Sequence, residues 1–238
     1  MKPCQYEILR AVEDTHWWHA VLHRLVMGAL RPLPDGARVL DAGCGTGGLL
    51  ARLGRLEAHG CDLSAAAVEH CRRRGLRHVQ VGDVSSLPYE SGGFDTVLSL
   101  DVLYHASVNP ARALDEMRRV LRPRGMLVVN VPALDCLRGA HDEAVCGARR
   151  YSRRSLTSLL ENHGFTPERV QYWNAWLTAP LWLRRRFSRN PEGDLALPPR
   201  WMNTLLALGS HVDAHLCRVL RVPFGSSLFA VARSHPPP

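Results

Sequence analysis

Asp41, Gly43, Gly45 and Gly48 follow directly on the apolar run Ala37-Arg38-Val39-Leu40. A strand that turns through closely spaced glycines into the stretch Leu49 to Leu56 lets bare backbone approach a ligand, because no Cβ atoms intervene. That is the chemistry of a nucleotide-type cofactor site. Gly43, Gly45 and Gly48 also fit the G-x-G-x-x-G spacing of a dinucleotide turn, and Asp62 follows at about the distance expected of a ribose-binding acid. Asp41 separates the two readings. A carboxylate at the mouth of the turn repels a pyrophosphate but suits a ligand carrying an ammonium and a sulfonium, as S-adenosylmethionine does.

The elements that must position these residues alternate. Ala37–Asp41 reads as a first strand, 48–56 as a helix, and Ala58–Asp62 as a second strand. Ser64 caps a helix that stops at Gly75. Val79–Asp83 and Phe94–Leu100 are the third and fourth strands. Asn109-Pro110 opens a helix running through Leu121, and Met126–Val131 is the fifth strand. A helix over 152–162 ends at Gly164, Val170–Trp173 is a sixth strand, and Ser227–Ala232 is the candidate for a seventh. The pattern predicts an α/β fold: a Rossmann-like, doubly wound, mostly parallel seven-stranded sheet, with ligands at the carboxyl ends of its strands. Residues 16–30 repeat apolar side chains every three or four positions, predicting an amphipathic helix that stops at Pro32 and Pro34. The resulting division is an N-terminal helical lid (1–35), a cofactor-binding core (36–173), an insertion that caps the acceptor (174–224), and a last strand with tail (225–238).

Over roughly residues 36 to 173 the chain resembles the class I S-adenosylmethionine-dependent methyltransferases, of the type found acting on small molecules in bacteria. The resemblance is carried in order by Val39 to Gly47, by Gly60-Cys61-Asp62, by Gly82-Asp83-Val84, by Phe94 to His105, and by Leu121 to Val129. It implies that Asp62 binds both ribose hydroxyls, Asp83 the adenine amino group, and Gly43 with Asp41 the methionine part. Gly45, Leu63, Val84, Leu100 and Trp17 complete the implied cofactor set. Gly-Ala-His-Asp-Glu (139–143) followed by Arg-Arg-Tyr (149–151) resembles a pattern in small-molecule members. The N-methyltransferase signature Asn/Asp-Pro-Pro-Tyr/Phe is absent after the fourth strand, where Ser99-Leu100-Asp101-Val102 stands.

Methyl transfer is an in-line displacement at an activated carbon, so positioning and water exclusion dominate, and a placed base adds about 10²- to 10⁴-fold. The bases to consider are His105 and Asp101 after the fourth strand and His141, Asp142 and Glu143 with Tyr151 after the fifth; His141 is the expected base, with Asp142 orienting it or the acceptor and Arg150 steadying the loop or an acidic substrate group. His141, Asp142 and His105 form the expected catalytic set. The insertion's Trp176, Trp182 and Trp201 suit a hydrophobic acceptor, and its arginines an acidic one.

With 238 residues and 46% hydrophobic content the chain can bury one sizeable core. The formal charge of +8 reflects arginine, since Lys2 is the only lysine among the 30 Lys and Arg residues. No RNA-binding appendage is recognisable, so the expected acceptor is a small molecule modified on oxygen or carbon in a biosynthetic pathway, with no nucleic acid partner. The basic segment 182–189 is a candidate contact with a membrane surface. Neither a membrane span nor a signal peptide is visible, giving a cytoplasmic expectation. Seven cysteines without a Cys-x-x-Cys pair read as reduced thiols, with no metal site expected. The competing functions are a nicotinamide-dependent oxidoreductase, a cofactor-binding subunit without chemistry, and an RNA methyltransferase, which the basic charge allows. Nothing in the chain sets its oligomeric state.

Overall fold

Val39, Leu40 and Ala42 have no exposed surface, because β1 (Arg38–Ala42) lies in the middle of a sheet covered on both faces. Alternate side chains of β1, β4 (Phe94–Leu100) and β5 (Leu121–Pro132) therefore enter two separate cores. Leu40, Val97, Leu127 and Val129 pack with α4 (Pro110–Val120) and α5 (Arg153–Asn162). Val39, Leu98, Met126 and Val128 pack with α2 (Trp17–Leu30) and α3 (Ala65–Arg73). Residues 3–139, 142–143, 145–187 and 197–235 are described by this computed structural model.

The sheet order is β3-β2-β1-β4-β5-β7-β6, with β2 at Glu57–Asp62, β3 at Val79–Val81, β6 at Phe165–Trp173 and β7 at Ser227–Ser234. Strands one to five are parallel. β7 runs antiparallel to both β5 and β6, placing Asn130 opposite Phe229 and Gln171 opposite Phe229. Chain order reverses between β1 and β4, which opens the crevice where ligands of such sheets bind.

Three elements differ from the sequence expectations. The helix expected over 48–56 is a single 3₁₀ turn at Leu50–Arg52, because β2 begins at Glu57 and leaves only a run of tight turns before it. β6 starts at Phe165 and includes Pro167, which an edge strand tolerates since one of its sides makes no ladder bonds. A first helix, α1 (Pro3–Val12), went unread; its buried Tyr6 and Val12 flank Leu9 at a three-residue spacing too short to stand out in the sequence.

The insertion carries α6 (Thr178–Phe187) and α7 (Arg200–Leu220). Asp213 of α7 accepts from the backbone N–H of both Ala175 and Trp176 at 3.1 Å, and the Trp176 indole donates to Ser210 at 3.2 Å. The segment after β6 is thus tied to α7. Trp201, Leu205, Leu208, Val212 and Val219 form an exposed apolar stripe on the other side of that helix.

Glu13 locks α1 to the glycine turn. Its carboxylate accepts from the Thr46 hydroxyl, from the Gly48 N–H at 3.1 Å and from the Arg74 guanidinium. Both members of the Glu13–Arg74 pair are nearly buried, so removing Glu13 leaves Arg74 only the half-exposed Asp14 and takes the acceptor from the Thr46 hydroxyl and the Gly48 N–H. Glu13→Ala is expected to lower unfolding stability by about 3 kcal/mol in a urea titration. It should also expose residues before Trp17 to proteolysis in the otherwise folded protein.

Candidate active site

Gly43 and Gly45 carry the chain through φ values of 95° and 54° at the end of β1. A Cβ on Gly43 would sit 2.3 Å from a Val102 methyl, so the turn packs directly on the segment after β4. Gly43 N–H donates to the Cys61 carbonyl at 2.7 Å, and Gly45 N–H donates to Asp62 Oδ2 at 2.9 Å. Asp62 Oδ1 accepts from Ser64 N–H at 2.9 Å and from the Tyr6 hydroxyl at 3.2 Å. Asp83 folds its own turn, with Oδ1 accepting from Ser85 N–H at 2.7 Å.

These strand ends open on one cavity of about 770 Å³. Asp41, Gly43, Gly45, Asp62, Leu63, Asp83, Val84, Leu100 and Trp17 all line it, so every expected cofactor residue is in one place. Leu63 is 64% exposed, an apolar side chain presented to the cavity. Asp41 is buried, with an Oδ1 atom that has no hydrogen-bond partner. Burial pushes its carboxyl up to about 7, and the charges of Asp62 and Glu13 add to the shift.

The other part of the cavity is roofed by helices. α2 brings Trp17, Trp18, His19, Leu22 and His23, while α6 and α7 bring Pro180, Leu181, Met202 and Leu206. Trp18 packs on Trp173 of β6, with centroids 5.5 Å apart, and Trp17 N–H donates to Asn203 of α7 at 2.9 Å. The α2 helix is more than a lid, because Val21, Leu22, Val26 and Leu30 belong to the core under the sheet. Burial lowers His19 to about 3 and His23 to about 4, so both rings are neutral at physiological pH.

Of the expected catalytic residues, His141 lies outside the described residues. His105 lines the cavity, stacked on Tyr104 at 4.3 Å, and burial lowers its pKa. Asp142 is taken up by an ion pair. Arg150 donates to its two oxygens at 2.9 and 3.1 Å, Gly139 N–H donates at 3.0 Å, and Arg185 stands 3.6 Å away. Burial favours the neutral acid, yet the Arg150 hydrogen bonds and charge outweigh it and hold Asp142 below the usual carboxylate range. Arg150 also donates to the Ala133 carbonyl at 2.8 Å, so the pair ties the loop after β5 back to that strand.

Sequence reasoning missed Tyr6 in the unread α1 and Glu13 directly after it, and Asn130 and Asn174. Asn130 did leave a signal: it is a lone amide inside Leu127-Val128-Val129-Asn130-Val131. Asn174, at φ 58° beyond β6, lines the cavity with a buried Oδ1 that has no partner.

The family model of the methyltransferase domain matches residues 40–129, the stretch that contains the glycine turn and the ends of β1 to β4. Residues 40–129 are a class I methyltransferase domain. The cofactor of this domain is S-adenosylmethionine, and the nicotinamide alternative falls away. A curated relative, the probable tRNA methyltransferase 9B of Mus musculus, is 40% identical over 108 residues, 44% of this chain and 24% of its own. The tRNA (carboxymethyluridine(34)-5-O)-methyltransferase of Arabidopsis thaliana is 36% identical over 112 residues, 46% of this chain and 28% of its own. The chain spans about a quarter of the length of these relatives. A solved geranyl diphosphate methyltransferase in complex with S-adenosylmethionine shares the fold, with a TM-score of 0.62 at 20% identity over 92% of this chain and 86% of that one. Relatives named for action on tRNA overturn the expectation that excludes nucleic acid as a partner of the methyltransferase domain. Among the described residues no helix is long and apolar enough to cross a membrane.

If Asp142 is the loop's strut, Asp142→Ala strands a buried guanidinium and should cost about 3 to 5 kcal/mol of stability in denaturant titrations. The folded pKa is depressed, so this stabilisation is complete above the unfolded value near 4 and is lost as pH falls below it. The wild-type advantage over the mutant should therefore shrink on acidification. An equal advantage at pH 3 and pH 7 would contradict it.

Proposed function

We propose that the protein transfers a methyl group from S-adenosylmethionine to a small-molecule acceptor held under the α2, α6 and α7 roof. The observation that carries this reading is the single cavity, which joins the cofactor turn to an aromatic and apolar chamber. When bound, S-adenosylmethionine supplies an electrophilic methyl on a sulfonium.

The residues present fit that group. Asp62 offers a carboxylate for the ribose hydroxyls, with Gly45 and Ser64 fixing its orientation. The Tyr6 hydroxyl would yield its place on Oδ1 to one of them. Leu63 and Val84 provide apolar surface beside the turn for a purine ring, and Asp83 an acceptor for its amino group. Asp41 supplies a buried, unpartnered oxygen to a cationic ligand. Trp17 and Trp18 present aromatic surface where a sulfonium is favoured, and the roof excludes the water that would compete for the methyl. The acceptor atom that this reading takes is oxygen or carbon, with His105 on the cavity wall at the acceptor side.

A second reading, a nucleoside within an RNA as acceptor, is favoured by the tRNA methyltransferase relatives. Incubating the protein with methyl-labelled donor and a total cell extract, then separating RNA from small molecules, decides between them. Label in the small-molecule fraction is the expected outcome; label confined to RNA would replace this reading with the second.

Two donor-side outcomes follow. Asp62→Ala should weaken S-adenosylmethionine binding about 10- to 100-fold by calorimetry, the worth of hydrogen bonds to a charged acceptor. Cationic donor binding should draw the Asp41 pKa down from about 7, so near pH 6.5 binding releases a proton and affinity rises with pH until Asp41 is ionised. Calorimetry in buffers of different ionisation enthalpy measures that proton, which Asp41→Asn should abolish.

A further inference from the structure

Asp101 follows β4 in the left-handed region at φ 55°, a conformation that costs a non-glycine residue about 1 kcal/mol or more and persists only when its surroundings enforce it. The enforcement is visible. Asp101 N–H donates to the Asn130 carbonyl at 2.9 Å, and the Asn130 side-chain amide donates to both carboxylate oxygens at 3.1 Å. Asn130 is itself oriented by Trp173, whose indole N–H donates to Asn130 Oδ1 at 3.0 Å. An indole is only a donor, so the amide oxygen must face Trp173 and the amide NH₂ must face Asp101. Asn130 lies near the end of β5 and Trp173 ends β6, while Asp101 directly follows β4 and lines the cavity next to Val102, on which Gly43 packs.

A carboxylate held this way, by a neutral amide in the cavity wall, is poised as a base. Burial raises its pKa to about 7, with the Asn130 hydrogen bonds opposing the rise. By contrast, Asp142 is neutralised by Arg150 and Asp62 is filled by three donors. Resting on the methyl-transfer reading above, we infer that Asp101 is the general base of the reaction, with Asn130 and Trp173 as its positioning residues. An acceptor hydroxyl oxygen forms its bond to the methyl carbon as the carbon–sulfur bond breaks. The bonding pair stays on sulfur, giving a neutral thioether, and the hydroxyl proton passes to an Asp101 oxygen.

The acceptor need not be known to test this. Sinefungin carries an amine in place of the sulfonium methyl, whereas S-adenosylhomocysteine carries nothing there; both keep the methionine ammonium and the ribose. Other titratable groups on the cavity wall are Tyr6, Glu13, His16, His19 and His23 of the N-terminal segment, Asp41 of β1, Cys44, Asp62 and Asp83 around the glycine turn, Tyr104 and His105 of the turn after β4, and Asp142 with Arg150, Arg184 and Arg185. Groups that sense only the shared parts of the two compounds cancel in the ratio of affinities. The wild-type preference for sinefungin over S-adenosylhomocysteine should rise about tenfold between pH 6 and pH 8, as the group facing the amine ionises. In Asp101→Asn that rise should vanish while S-adenosylhomocysteine affinity stays within about threefold, which also shows the variant folded. A rise that survives in Asp101→Asn would overturn the inference, because another group would then face the methyl position. So would a flat wild-type ratio, or a variant that loses both compounds, since the latter places Asp101 on the methionine ammonium. Wild-type protein that binds neither compound would instead remove the methyl-transfer reading itself, and this inference with it.

Discussion

Asp62 is the carboxylate on which the donor side of the cavity depends. It sits at the end of β2 and accepts from the glycine turn through Gly45, from the start of α3 through Ser64, and from α1 through Tyr6. Each bond joins a different part of the chain, so one side chain sets the distance between turn, helix and N-terminal cover. A carboxylate can do this because it offers about four acceptor sites, more than any neutral side chain. The register that brings Asp62 there comes from the parallel pairing of β2 with β1, in which Asp41 lies opposite Gly60.

The same arrangement concentrates negative charge. Asp41, Asp62 and Glu13 lie around one glycine turn, and the compensating Arg74 reaches only Glu13 and Asp14. Asp41 responds by holding its proton up to about pH 7. An apo site in that state stores electrostatic cost that a cationic ligand relieves, whereas a pyrophosphate would add to it. On the proposed reading, that field disfavours a dinucleotide while the glycines supply the room.

The Asp41 carboxylate beside the glycine turn was legible in the sequence because the two adjoin in the chain. So were the mostly parallel sheet implied by alternation, the caps at Ser64 and Asn109, and the seventh strand near Ser227. What was not legible depends on distant pairing. Glu13 and Tyr6 matter only because α1 folds over residues more than thirty positions away. Asp142 reads as a partner for the adjacent histidine, but a buried arginine eight residues on is the stronger partner once both leave water. The helix expected after the glycine turn was overruled by the short path to β2, a constraint of length rather than of propensity.

The acceptor side is organised by a different kind of interaction. Along the donor turn, backbone and carboxylates define the site; beyond β4 a chain of neutral donors from Trp173 through Asn130 reaches Asp101. The two halves therefore differ in how they treat charge. Donor-side carboxylates await cations, whereas Asp101 faces a neutral amide that holds it in place without fixing its protonation state. Trp173 connects this chain to the roof as well, since its ring packs on Trp18 while its indole N–H holds Asn130. Closure of the chamber and orientation of the carboxylate thus share one residue, and a packing change at Trp18 reaches Asp101 through two intervening residues, Trp173 and Asn130. Coupling of this kind lets an acceptor that fills the aromatic chamber help set the group that receives its proton.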